Sequence, residues 1–283
     1  MNNKNSLPKG FTATGFSGGV KSEGLDMALV LSDRSAASAG VFTTNRVKAA
    51  CINRNQDLCG NQMRAVLVNS GNANACTGAR GIHDNERLAG DVAAAFNIDQ
   101  EEVLTASTGV IGVPLPIESM SKAITNLPRS KETPASSPDS FDKAARAIMT
   151  TDLQKKVAEH TFSVDGKSVR ISGFAKGSGM VHPNMATMLG FILTDAQIES
   201  SLLQHMLQGI VDESFNMISV DGDTITDDLV GALANGASGV EIKSPDDTAW
   251  QEFKGGLHYV ARNLAIMIAR DGEGATKLIS ANV

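Results

Sequence analysis

The chain has 283 residues, with 25 Lys+Arg against 31 Asp+Glu, a net charge of −6, 42% hydrophobic residues and only 4% aromatic ones. That length supports one large or two ordinary domains, and a negative balance with no long basic run argues against a dedicated nucleic-acid binder. No run of 18 apolar residues occurs, so no membrane span is expected, and 27 glycines favour tight turns and close backbone packing.

In chain order, short strands are expected at 25–31, 39–43 and 63–68, the last ending in the polar loop NSGNANACTG. A helix follows over about 84–96, with Leu88, Val92 and Ala95 on its apolar face. Val103–Ala106 reads as a buried strand running into STGVIGVPLP, and Pro116 sits where a helix can begin, with Ile117, Met120, Ala123 and Ile124 as its stripe. Residues 128–140 hold three prolines and four serines and read as an exposed linker before a helix over 141–149. His160–Val164 and Lys167–Phe174 alternate around Asp165-Gly166, which predicts a hairpin. Thr187–Leu193 is a continuous apolar strand, and Asp195 can cap a helix with the stripe Ile198, Leu202, Met206 and Ile210. A last helix is expected over 258–269, with Val260, Leu264, Ala265 and Ile268 inward. Helices and strands alternate with hairpins included, so the fold class is mixed α/β rather than a doubly wound parallel sheet.

Cys51, Cys59 and Cys76 are odd in number and sparse, with no Cys-x-x-Cys pair, which fits a reducing compartment and no zinc site. The opening MNNKNSLPKG lacks the apolar core of a signal peptide, so the cytoplasm is the expected location. The five histidines show no metal-ligand spacing, and no nucleotide-binding or serine-hydrolase motif occurs. Asp221, Asp223, Asp227 and Asp228 cluster in SVDGDTITDD, but the spacing is not that of a calcium loop, and a structural turn is expected. The segment KGSGMVHPNMATMLGFILTD crowds glycines and a proline before an apolar strand with Thr187 at the junction. Composition alone reads it as a loop feeding the core.

Within that segment, AKGSGMVHPNMATML resembles the self-cleavage region of the bifunctional glutamate N-acetyltransferases, also called ornithine acetyltransferases, of arginine biosynthesis. GFTATGFSGGVKSEGLDMALVLSD, VFTTN, VNSGNANACTG, STGVIGVPLP, MTTD, SVDGDT and ARDGEGATK match further blocks of that family in its order, from Gly10 to Lys277. The resemblance implies an autoprocessing architecture with mixed sheets and flanking helices. It divides the chain between Ala186 and Thr187 into an N-terminal piece, 1–186, carrying the oxyanion motif, and a C-terminal piece, 187–283, opening on the nucleophile. The free α-amine of Thr187 would then sit beside its own hydroxyl, and an amine with an ordinary pKa of about 7.7–8.0 can act as base near neutrality.

By the same resemblance, the Thr108 hydroxyl and the Gly109 N–H form the oxyanion hole, and Thr151, Lys176, Thr187 and Glu273 contact substrate. The implied reaction moves acetyl from N-acetylornithine to glutamate through an acetyl-Thr enzyme, with acetyl-CoA as a further donor in some members. No metal or organic cofactor is implied. The pieces are expected to stay together and to pair into a heterotetramer of two of each. Family members continue beyond the DGEGATK block, and Ile225, Asp227 and Cys51 stand where the family commonly has Ser, Asn and Pro. A Thr-nucleophile amidohydrolase passing acetyl to water, and a truncated non-catalytic subunit, are the alternatives.

Overall fold

Phe11–Phe16 (β1) and Met27–Phe42 (β2) pair antiparallel at the start of the chain, followed by Ala50–Leu58 (α1), Gln62–Asn72 (β3), Gly78–Phe96 (α2) and Val103–Val110 (β4). Next come Ile117–Asn126 (α3), Pro138–Ala147 (α4), Lys156–Val164 (β5) and Lys167–Lys176 (β6). Leu189–Thr194 (β7), Gln197–Ile198 (β8), Ser200–Asp212 (α5), Leu229–Ala234 (β9), Glu241–Ile242 (β10) and Thr248–Arg270 (α6) complete the order. The structure is a computed structural model that describes residues 5–181, 188–223 and 225–281.

Eight strands form one mixed sheet in the order β4-β3-β2-β9-β7-β6-β5, with β1 added beside the first half of β2. β3 and β4 run parallel, as do β7 and β9, and the remaining pairs are antiparallel. The two expected strands at 25–31 and 39–43 are one 16-residue strand. The polar Asp33-Arg34-Ser35 between them is an exposed irregularity in the β3 pairing, across which β2 exchanges β1 for β9 on its other side. Strands β9 and β7, both from the expected C-terminal piece, sit side by side between β2 and β6 of the expected N-terminal one.

Side-chain alternation divides the core into three clusters. Val66, Val68, Leu189, Phe191, Leu229 and Leu233 point to a shared interior with α4, where Phe174 packs edge-on to Phe141 at 5.7 Å and tilted on Phe191 at 5.3 Å. The opposite faces are covered separately. Met27, Leu29, Ala65 and Leu67 meet α2 and α3, while Val169, Ile171, Val230 and Ala232 meet α5 and α6.

The expected linker is shorter than its composition suggests. Ser137 accepts the Ser140 N–H at 3.1 Å as N-cap and Pro138 occupies the first turn, so α4 starts three residues earlier than its apolar pattern. Asp165 and Gly166 both have positive φ, the turn geometry expected of the β5–β6 hairpin. Asp195 does not cap α5. Its carboxylate accepts the N–H groups of Lys9 and Arg170, both at 2.9 Å, and Ile198 belongs to β8.

Candidate active site

The parallel β3–β4 pair sets Ser70 opposite Thr108 and Gly71 opposite Gly109, and the register slips at Asn72, which faces both Thr108 and Val110. Gly109 has φ +133° and Gly71 +105°, and a Cβ on Gly109 would lie 2.3 Å from the Gly71 carbonyl carbon. Only glycine satisfies both the dihedral and the contact. Thr108 is buried beside this turn and Gly109 stands at its half-exposed rim. Asn72 donates to the Val113 carbonyl at 3.0 Å, which fixes the loop beyond the turn.

Lys176, the last residue of β6, is 4% exposed and its Nζ donates to Thr108 Oγ1 at 3.4 Å. The backbone that follows gathers two more of the expected contact residues. Thr151 Oγ1 and Ser178 Oγ are hydrogen-bonded at 2.7 Å, and the Glu273 N–H donates to the Ser178 carbonyl at 2.7 Å. The Glu273 carboxyl lies over Gly179, where an added Cβ would meet it at 2.7 Å. Thr108, Lys176, Thr151 and Glu273 are thus linked through residues 176–179. Ala186 and Thr187 lie outside the described residues.

A buried ion triad holds this arrangement. Lys156 Nζ meets Asp152 Oδ1 and Asp271 Oδ2, each at 2.6 Å, with Lys156 only 1% exposed. Asp152 also accepts the Gly177 N–H at 2.8 Å, and Asp271 accepts the Leu153 N–H at 3.0 Å. Burial pushes the Asp152 carboxyl up, but the charges of Lys156 and Lys176 and the Gly177 N–H outweigh it, so the net shift is downward. The segments carrying Thr151, Lys176 and Glu273 are therefore tied by one lysine, which the sequence reading did not single out.

Lys21 also stands beside this cluster. Its Nζ donates to the carbonyls of Met149 at 2.6 Å and Leu25 at 3.4 Å, and its stem crosses Gly71. Burial lowers its pKa, opposed by Asp26 and Asp152 and reinforced by Lys176.

The acidic segment 219–228 does more than turn the chain. Asp221 accepts the N–H groups of Met180 and Val181, the latter at 2.9 Å, and Asp228 accepts that of Met188 at 2.6 Å. Both flanks of 182–187 are thereby held by one stretch. Asp227 is 2% exposed, and its carboxyl is approached by the hydroxyls of Thr108 and Thr226 and by the charge of Lys176. Burial outweighs these and pushes it up to about 6. Its ionisation therefore opposes folding, and stability from this group is complete below the ordinary aspartate value of about 3.9 and declines as pH rises through about 6. Sequence reasoning placed Asp227 in a structural turn and marked it as a departure from the family, but gave it no place in the site. The available signal was its place next to Asp228, at the mouth of the wholly apolar LVGALA strand.

Burial pushes the thiols of Cys51 and Cys59 up to about 12, the Asp227 charge adding to the effect at Cys51, so both stay protonated and unreactive. Among the described residues no group of three or more His, Cys, Asp or Glu could hold a metal ion, and no helix is long and apolar enough to cross a membrane.

The chain as a whole has counterparts among known proteins. The arginine biosynthesis bifunctional protein ArgJ of Caldanaerobacter subterraneus subsp. tengcongensis is 47% identical over 286 residues, covering 100% of this chain and 69% of that relative. The ornithine acetyltransferase of Mycobacterium tuberculosis, solved with ornithine, is similar with a TM-score of 0.56 and 33% identity over 66% of this chain and 97% of that one. An L-aminopeptidase D-Ala-esterase/amidase of Ochrobactrum anthropi, described as a variant of the Ntn-hydrolase fold, shares the fold at a TM-score of 0.52 and 10% identity over 94% of this chain and 86% of that one. The ArgJ family itself is matched over residues 12–283, and with relatives of this identity along its whole length the chain belongs to the ArgJ family.

Proposed function

We propose that this member of the ArgJ family transfers an acetyl group from N-acetylornithine to glutamate in arginine biosynthesis, through an acetyl ester on Thr187 exposed by self-cleavage after Ala186. The observation that carries this reading is the junction of Thr108 with Lys176 at the β4 end, reached from Thr151 and Glu273 through residues 176–179. In the precursor, the Thr187 hydroxyl attacks the Ala186 carbonyl, the amide nitrogen leaves as the new α-amine, and water hydrolyses the ester. In turnover, that amine takes the hydroxyl proton as it attacks the acetyl carbon, then returns it to the departing ornithine amine. Glutamate reverses the sequence. Thr108 and Gly109 donate to the oxyanion of each tetrahedral intermediate. Lys176 suits a substrate carboxylate, and exposed Glu273 an ammonium.

Two finer expectations belong to the same reading. The insertion of two strands of 187–283 between strands of 1–186 supports pieces that stay associated, from which a heterotetramer of two of each is assembled. Three free cysteines, two of them shielded, suit a reducing cytoplasm.

Denaturing mass measurement of the purified chain is expected to give two fragments meeting at Ala186/Thr187. Initial rates at varied N-acetylornithine and glutamate are expected to give parallel reciprocal lines, and Thr108→Ala to lower kcat about 10²–10³-fold, as loss of one oxyanion donor does elsewhere. Converging lines, or acetate released in place of acetylglutamate, overturn the transferase scheme. Thiol release from acetyl-CoA in the presence of glutamate decides the second donor.

A further inference from the structure

Ser178 carries two links at once. Its hydroxyl lies 2.7 Å from Thr151 Oγ1, and its carbonyl accepts the Glu273 N–H at 2.7 Å. The two hydroxyls differ in setting, since Ser178 is 1% exposed and Thr151 stands at the surface. Either oxygen could donate, and burial decides between them. A buried hydroxyl proton must find an acceptor, and among the described residues Thr151 Oγ1 is the one hydrogen-bond partner of Ser178 Oγ. The neighbouring Asp152 carboxylate is turned to other donors. Its Oδ1 takes Lys156 Nζ and the Gly177 N–H, and its Oδ2 takes the Thr150 N–H at 3.0 Å. Ser178 therefore donates and Thr151 accepts, which leaves the Thr151 proton to turn outward.

We infer that Ser178 is a positioning residue that fixes Thr151 as a hydrogen-bond donor, and so makes this corner of the site one for a carboxylate. This rests on the reading of Thr151 as a substrate contact. A hydroxyl whose oxygen already accepts one bond donates more strongly through its own proton, because the two bonds polarise one another. A donor held in that state suits a carboxylate, which only accepts, and offers nothing to an ammonium, which only donates. N-Acetylornithine and glutamate share one such group, the α-carboxylate, and differ at their other ends. Lys176, two residues back on the same segment, supplies the charge that this shared carboxylate needs.

The test is a cycle of Ser178→Ala, Thr151→Val and the double variant, with cleaved protein assayed for acetyl transfer from N-acetylornithine to glutamate. Thr151→Val is expected to raise KM for both substrates about tenfold or more, as loss of a hydrogen bond to a charged group does. Ser178→Ala is expected to raise both by a common factor of about three to ten, with kcat changed less than either KM. In the Thr151→Val background the same change is expected to have no further effect on KM, because no hydroxyl remains to be set. A Ser178 that merely packs would give the same factor in both backgrounds.

Thr151→Ser keeps the hydroxyl, and there Ser178→Ala is expected to act as it does in wild type. Ser178→Cys fills the same buried space with a weak donor and is expected to raise both KM values in the same direction, so the test stands even where the alanine variant fails to fold. Wild-type KM values in whichever of these variants folds, a factor that persists in Thr151→Val, or a rise for one substrate alone overturns the role of Ser178. No rise for either substrate in Thr151→Val sinks Thr151 as a substrate contact instead.

Discussion

Thr187→Ala is expected to leave the chain as a single uncut species with no ornithine release, and Thr187→Ser to cut still, more slowly. In the proposed mechanism, alanine removes the hydroxyl that attacks in both steps. Serine keeps the oxygen but loses the β-methyl that narrows its rotamers. A threonine that merely packed at the strand entrance would behave otherwise, since losing a hydroxyl and a methyl there costs about 1–2 kcal/mol and leaves chemistry intact. Denaturing electrophoresis beside an ornithine assay separates the cases. A fully active alanine variant, or wild-type protein that never divides, refutes the mechanism.

Lys156→Met produces the largest expected loss of stability. The substitution matches the stem in length and apolar character but leaves Asp152 and Asp271 facing one another without the ammonium that met both at 2.6 Å. Removing one partner of a buried ion group costs about 3–5 kcal/mol, read as a shift in denaturant midpoint and a fall of roughly 10 °C in Tm. The pH dependence has a definite sign. In wild type the lowered Asp152 pKa contributes stability that is complete above the ordinary aspartate value and lost as pH falls below it. In the methionine variant the two carboxylates repel, protonation relieves them, and the deficit shrinks on acidification. Because Thr151, Gly177 and Glu273 hang from this triad, KM for N-acetylornithine is expected to rise more than kcat falls. A change in stability below 1 kcal/mol, or a deficit that grows in acid, refutes the clamp.

The elements that a periodic apolar pattern announces were readable in advance. Leu88 and Val92 mark α2, Met120 and Ile124 mark α3, and the alternation around Asp165-Gly166 marks β5 and β6. Helix α1 has no such stripe, because its fixation is partly polar. Asn55 donates to the Thr105 carbonyl at 2.7 Å and accepts its N–H at 3.3 Å, a long-range bond that no local pattern encodes. Strand β9 is apolar on both faces since it lies in mid-sheet between β2 and β7, and so shows no alternation. The site was legible in another way. Thr108 and Lys176 are 68 positions apart, and only ordered resemblance to a family joined them before the fold did. Asp227 escaped because a carboxylate in an acidic turn looks solvated until β9 and α1 enclose it. Cys51 and Asp227, two positions that the resemblance marks as departures, are close enough for the charge of one to act on the other.

The interleaving of strands bears on the order of events in the protein's life. While covalently whole, the chain brings the adjacent β9 and β7 between β2 and β6 as an intramolecular step, at the high effective concentration that a connecting segment imposes. Division after Ala186, as proposed, would turn the same insertion in an unfolded sample into an encounter between two molecules, each lacking neighbours for its central strands. Refolding of divided protein would then depend on concentration and compete with pairing of exposed strand edges, while undivided Thr187→Ala would refold at a rate independent of dilution. A topology of this kind favours folding first and cutting second, and makes the native state, once cut, one that is kept rather than regained.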